Sequence, residues 1–264
     1  MGAEGLLQNR LISPMFGARR LIVVLPIRDQ LDKSGGAKIL VVTYVVGVDA
    51  YRGGWVAVVL LDGLVRACEV YPRISELVAV HSEAQVIAVD IPIGLSQNGS
   101  RKADVEARRF VGPRAASVFP APPRSILEAA SYQDALARAR SGGRGISAQS
   151  FALVSKIREV APVAATDRRI FEVHPEVSFR AMAGSPIHST KKSWNGSWLR
   201  RRLLHSKGII LKDELGNGGL APVDDVLDAA AAGWSAQRVA EGVAQSLPDP
   251  PEPNADRQAV AIWY

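Results

Sequence analysis

The chain has 264 residues, 47% of them hydrophobic and 22% charged, which is enough for one large domain or two small ones with a sizeable core. Its formal charge of +6 admits a polyanionic partner such as nucleic acid, while the single cysteine, Cys68, excludes an internal disulfide and a cysteine-cluster zinc site. No apolar run reaches the roughly eighteen residues that span a bilayer, and no small-residue cleavage site follows the run from Leu21 to Ile27, so no membrane partner is expected and the expected location is cytoplasmic.

Residues 1–42 hold scattered Gly, Arg and Pro without a sustained period, and read as a flexible extension or an over-extended start. A single domain is expected over 43–264. Tyr44 to Asp49 is a continuous β-branched run, the mark of a strand buried on both faces. Arg52-Gly53-Gly54 makes a turn, Trp55 to Leu61 is a second strand, and Asp62-Gly63 is a two-residue hairpin signal leading into a third, Leu64 to Tyr71. Pro72 opens a short helix, Arg73 to His81, and Gln85 to Ile93 is a further apolar strand with Asp90 at its end. An antiparallel three-strand meander, a crossover helix and a buried parallel strand, in that order, predict a ribonuclease-H-like mixed sheet within the α/β class.

Helices are expected over Arg101 to Phe110, Tyr132 to Arg140 and Ser147 to Val160, with an irregular, proline-rich stretch from Val118 to Arg124. Ile170 to His174 returns to strand. Shorter helices are expected over Pro175 to Met182 and Gly196 to Ser206. A long alanine-rich helix with Pro222 and Asp224 as start signals covers Val223 to Val243, and a proline-rich turn then leads to a last strand, Ala259 to Tyr264.

Carboxylates fall where such a sheet gathers ligands, beyond the carboxyl ends of its strands. Asp49 ends the first strand and Asp90 the fourth, and adjacent central strands would set them side by side. Asp225 and Asp228 are three apart and share one face of the C-terminal helix. Such a cluster is costly without a cation, and oxygen donors without cysteine suit Mg²⁺ or Mn²⁺. Asp49, Asp90, Asp225 and Asp228 are therefore the candidate metal ligands. Each also has a plain structural use, as a turn former or a helix-start partner. Glu172 and His174, in the run Phe171 to Phe179, are further catalytic candidates, as a ligand and a proton shuttle. Arg52, Arg101, Arg114, Arg124, Lys156 and Lys191 are the candidate substrate contacts. Lys191, Lys192, Arg200, Arg201, Arg202 and Lys207 are interleaved with Trp194 and Trp198, a mixture that suits phosphates and stacked bases.

The blocks Gly47–Trp55, Asp90–Leu95, Arg101–Asp104, Ala107–Arg108, Ser117–Pro122, Ser147–Leu153, Lys156–Val160, Glu172–Phe179 and Asp225–Ala229 together resemble, in the same order, the domain of unknown function 429 family. The resemblance runs from about Thr43 to the C-terminus. It implies a ribonuclease-H-like fold, a predicted nuclease activity and a helical insertion at about 99–169. By analogy with ribonuclease-H-like resolvases it adds weight to Asp225 and Asp228. Ala50 stands where the family pattern often has Gly, and Glu159-Val160-Ala161 lacks the acidic residue that often follows the Glu-Val pair.

The expected function is divalent-metal-dependent hydrolysis of phosphodiester bonds in nucleic acid. Two alternatives share the sheet: an actin- or sugar-kinase-like phosphotransferase, which calls for a duplicated half, and a non-catalytic scaffold, which calls for carboxylates spread apart or paired with arginines.

Overall fold

The computed structural model describes residues 21–24, 39–97, 99–141, 145–253 and 259–264. Strands β1 (Leu21–Val24) and β2 (Ile39–Val42) pair antiparallel, so the expected featureless extension contains two strands. Both are four-residue apolar runs, LIVV and ILVV, too short to show a period on their own. The remainder of the expected flexible segment lies outside the described residues.

The central sheet has the order β5-β4-β3-β6-β7. Strands β3 (Tyr44–Tyr51), β4 (Gly54–Leu61) and β5 (Leu64–Tyr71) form the antiparallel meander. Its second turn holds Asp62 and Gly63 at φ 49° and 76°, the positive values the hairpin type demands. Helix α1 (Ile74–Val80) crosses to β6 (Val86–Val89), which runs parallel to β3. Four helices follow: α2 (Lys102–Val111), α3 (Tyr132–Ser141), α4 (Ala148–Ala152) and α5 (Val154–Thr166). The helix expected over Ser147 to Val160 is thus divided at Leu153. Strand β7 (Ile170–Glu172) adds in parallel beside β6, and α6 (Pro175–Ala183), α7 (Trp194–Ser206) and α8 (Val223–Ala240) complete the helices. The proline-rich stretch expected as a turn is strand β8 (Ser246–Pro253), paired with β9 (Ala259–Trp263). Its register holds at both ends and shifts between Leu247 and Glu252, where prolines offer no ladder N–H.

The period of two divides the core. Val45, Val58, Leu60, Val86 and Ala88 face α8. Val46, Val48, Ala57, Ile87 and Val89 face α1 and α5, where they meet Ile74, Leu77, Ile157 and Val160. Glu159 joins that second layer, its Oε1 accepting from the indole N–H of Trp55 (2.8 Å) and from the backbone N–H of Ile74 (2.7 Å) at the start of α1.

Helix α8 lies directly on β3 because two glycines meet there. A Cβ on Gly47 would stand 1.9 Å from the nitrogen of Gly233 and 2.2 Å from the carbonyl oxygen of Ala229. Around that contact Ala229, Ala230, Ala232 and Ala236 keep the helix surface thin. No helix among the described residues is long and apolar enough to cross a membrane.

Candidate metal centre

Strand register and the glycine contact bring three carboxylates together. Val48 pairs with Val89, so Asp49 and Asp90 leave adjacent parallel strands at the same level, and the Asp90 N–H donates to the Val48 carbonyl (3.1 Å). Asp49 shares the parity of Val45 and Gly47, and Asp90 that of Val86 and Ala88, so both turn to the α8 side. From Gly47 to Asp49 is two residues, about 6.6 Å toward the strand's carboxyl end. From Gly233 back to Asp228 is five residues, about 7.5 Å toward the helix N-terminus. The two steps end at the same place. Oxygen atoms of Asp49, Asp90 and Asp228 all lie within 4.8 Å of one another.

Burial drives all three toward protonation. It pushes the Asp49 pKa well up, and the neighbouring charges of Asp90 and Asp228 push the same way. Asp90 and Asp228 are raised to about 7, again chiefly by burial and against the pull of Lys191. Lys191 Nζ donates to Asp228 Oδ2 and lies 3.8 Å from Asp224. Burial works against its ammonium, but Asp228, with Asp49 and Asp90 behind it, raises the Lys191 pKa all the same. One ammonium facing two buried acids and the half-buried Asp90 leaves a deficit of positive charge that a divalent cation would fill. Three carboxylates and no sulfur are a donor set for a hard ion.

Asp225 comes close to this group without joining it. It lies one turn ahead of Asp228, half-buried, and borders the same cleft of about 720 Å³. Its pKa is raised by burial and by Asp224 beside it. His174 also borders the cleft, as the residue that caps α6. Its Nδ1 accepts the Glu176 N–H (3.2 Å), which leaves the ring proton on Nε2, and burial lowers its pKa.

Glu172 borders the same cleft as Asp90 and Asp228, with its carboxylate committed to another partner. It has the parity of Ile170, which packs on the α1 and α5 side, so its carboxylate turns away from Asp49. There it accepts two bonds from Arg101 (2.7 Å each) and one from the Ile93 N–H (2.6 Å). Arg101 is correspondingly buried between Glu172 and Asp104 and is a structural cation, not a free substrate contact. Lys156 is likewise occupied, donating to the Gly54 carbonyl (3.0 Å) with its ammonium 4.3 Å from the centre of the Trp55 ring. Arg52 is exposed in the β3–β4 turn, and Arg124 opens a short 3-10 turn, its backbone N–H donating to the Ser96 carbonyl (2.9 Å). Arg114 borders the cleft 3.6 Å from Glu176, and Lys191 stands inside it.

Glu176, Thr190 and Lys192 also border the cleft. Glu176 is held by two bonds from the fully buried Arg200 (2.8 and 2.7 Å), fixing α6 against α7. Thr190 and Lys192 border the cleft next to Lys191. Lys192 is legible in the sequence from the Lys-Lys pair ahead of a helix, while Thr190 carries no such mark.

The family described as "Protein of unknown function (DUF429)" matches residues 47–253. No curated protein and no solved structure matches the chain.

Proposed function

The chain belongs to the DUF429 family of proteins of unknown function, and on that footing we propose that it is a divalent-cation-dependent phosphodiesterase acting on nucleic acid, built on a ribonuclease-H-like sheet. The observation that carries this reading is the meeting of Asp49, Asp90 and Asp228 within 4.8 Å at the carboxyl ends of β3 and β6. A scaffold has no use for three clustered acids, two of them buried, whose pKa values are all raised. Carboxylates this close are an arrangement for holding a cation.

Asp49, Asp90 and Asp228 would hold the ion, with Asp225 at the rim. When bound, Mg²⁺ or Mn²⁺ supplies positive charge against the carboxylates and Lewis acidity toward a phosphoryl oxygen. The chain's own residues do the rest. Arg114 and Lys192, bordering the cleft, position a phosphate. In the metal-free protein Lys191 neutralises Asp228 and fixes its side chain. His174, neutral with its proton on Nε2, can offer a hydrogen bond to the departing oxygen without giving up that proton. The same reading takes the chain as cytoplasmic, supported by a lone cysteine, Cys68, that is buried and free.

The test is calorimetric titration with Mn²⁺ and a cleavage assay on single- and double-stranded DNA and RNA, using wild type beside Asp49→Asn. Binding of Mn²⁺ and metal-dependent cleavage by wild type are expected. The variant should lose more than the about 10–100-fold that removal of an outer-shell partner costs. Equal cleavage by both proteins, or no binding by wild type, sinks the reading.

A further inference from the structure

Helix α7 presents to solvent a stripe that the fold does not use. Trp194, Trp198, Arg201, Arg202 and His205 are all exposed, and spacings of four, seven, eight and eleven residues put them on one face. The opposite face, with Gly196, Arg200 and Leu204, is buried. Trp194 is 82% exposed and Trp198 54%, although tryptophan is highly buried on average in folded proteins. Neither indole contributes to a core. Neighbouring tryptophans on a helix whose charged residues are all basic require another explanation.

The stripe adjoins the carboxylate cleft. Ser193 caps α7, accepting from the Gly196 N–H (3.1 Å), so the helix starts three residues beyond Lys191. The Cα atoms of Lys191 and Trp194 are therefore at most about 11 Å apart. A groove of about 560 Å³, lined by Lys191, Lys192, Ser197, Val223, Asp224 and Asp225, joins α7 to the head of α8. From Trp194 to Arg202 the stripe extends about 12 Å along the helix axis.

We propose that this face of α7 docks single-stranded nucleic acid and leads it into the carboxylate cleft. The choice of partner rests on the phosphodiesterase reading of that cleft. The choice of a single strand rests on chemistry. An indole stacks on the face of a base, and only an unpaired base leaves its face free. Arg201 and Arg202, about one turn beyond Trp198, supply charge for the phosphates. A helix with no acidic side chain does not repel the backbone.

The test is fluorescence anisotropy with labelled oligothymidylate and oligouridylate of about twelve nucleotides, beside a duplex of equal length, in chelator. Wild type should bind the single strands with tryptophan quenching, and the duplex about tenfold more weakly. Trp194→Ala and Trp198→Ala should each weaken strand binding about tenfold. The pair Arg201→Gln and Arg202→Gln should lower the salt-dependence slope by about 1.4. Unchanged affinity in a Trp194→Ala, Trp198→Ala double variant with a wild-type melting curve overturns the inference, as does tighter binding of the duplex. Strand binding without metal-dependent cleavage overturns the phosphodiesterase reading alone. Cleavage that ignores the tryptophans overturns only the docking surface.

Discussion

Gly47 of β3 meets Gly233 of α8 backbone to backbone, and the carboxylate cluster depends on that approach. A methyl group on Gly47 would stand 1.9 Å from a backbone nitrogen, which a rotamer change cannot relieve, so the whole helix must move. Gly47→Ala is expected to destabilise the protein by at least about 3 kcal/mol and to weaken Mn²⁺ binding, because Asp228 moves with α8. Gly233→Ala is the control. Its Cβ would press on the Leu60 side chain at 3.2 Å and make only ordinary contact with the Gly47 nitrogen at 3.7 Å, and should cost no more than about 1 kcal/mol. Urea unfolding of both variants, with Mn²⁺ titration of the folded fraction, tests the pair.

The pKa values of Asp90 and Asp228 are raised to about 7, from carboxylate values near 3.8. The native state therefore holds more protons than the unfolded chain between those limits, and stability falls as pH rises. Metal-free protein should melt at a higher temperature at pH 5 than at pH 7.5, and saturating Mn²⁺ should flatten or reverse that trend. Asp49→Asn removes one of the mutually repelling charges. It should stabilise the metal-free protein at pH 7.5 by on the order of 1–2 kcal/mol, a few degrees of Tm. A variant that melts lower than wild type at that pH would contradict the electrostatics.

How far the sequence carries this site follows from which residues were governed by local rules. Asp49 and Asp90 were legible because each ends an apolar run, and parallel neighbours bring strand ends to one level. Asp228 was legible only with Asp225, since a helix face does not tell which of two acids, one turn apart, reaches the sheet. The Gly47 contact makes that choice, and a glycine inside a strand carries no record of its partner. Glu172 borders the cleft, yet it shares the parity of Ile170, whose side packs away from α8, and its carboxylate meets Arg101. Arg101 and Asp104 are three apart on a helix start, a spacing that predicts an ion pair, yet burial and the third member, Glu172, are properties of the tertiary fold. The β1–β2 pairing was hidden by its brevity, and β8 by its prolines.

The buried Arg101 should behave as a structural cation. Arg101→Leu leaves Glu172 and Asp104 without their common partner and is expected to cost about 3–5 kcal/mol. Glu172→Gln keeps the shape, so it should lose less stability and leave Mn²⁺ affinity within about twofold of wild type. Melting curves and calorimetry separate the two roles. A large loss of metal affinity in Glu172→Gln, with the fold intact, would return this residue to the metal site.

Lys191 makes the last prediction, because its ammonium and a metal ion compete for the same oxygen. Nζ donates to Asp228 Oδ2, and the Lys191 pKa is raised by all three acids. Proton loss cannot free the site at neutral pH, so a cation must displace the ammonium or share Asp228 with it. Lys191→Met keeps the stem and removes the charge. The metal-free variant should be less stable than wild type at pH 7.5, since three acids then face one another without a counter-charge. Mn²⁺ should bind it about tenfold more tightly, and the metal-induced rise in Tm should grow accordingly. At pH 5, where the acids are largely protonated, the two proteins should converge in stability. Weaker metal binding by Lys191→Met would show that the lysine supports the bound ion instead of competing with it.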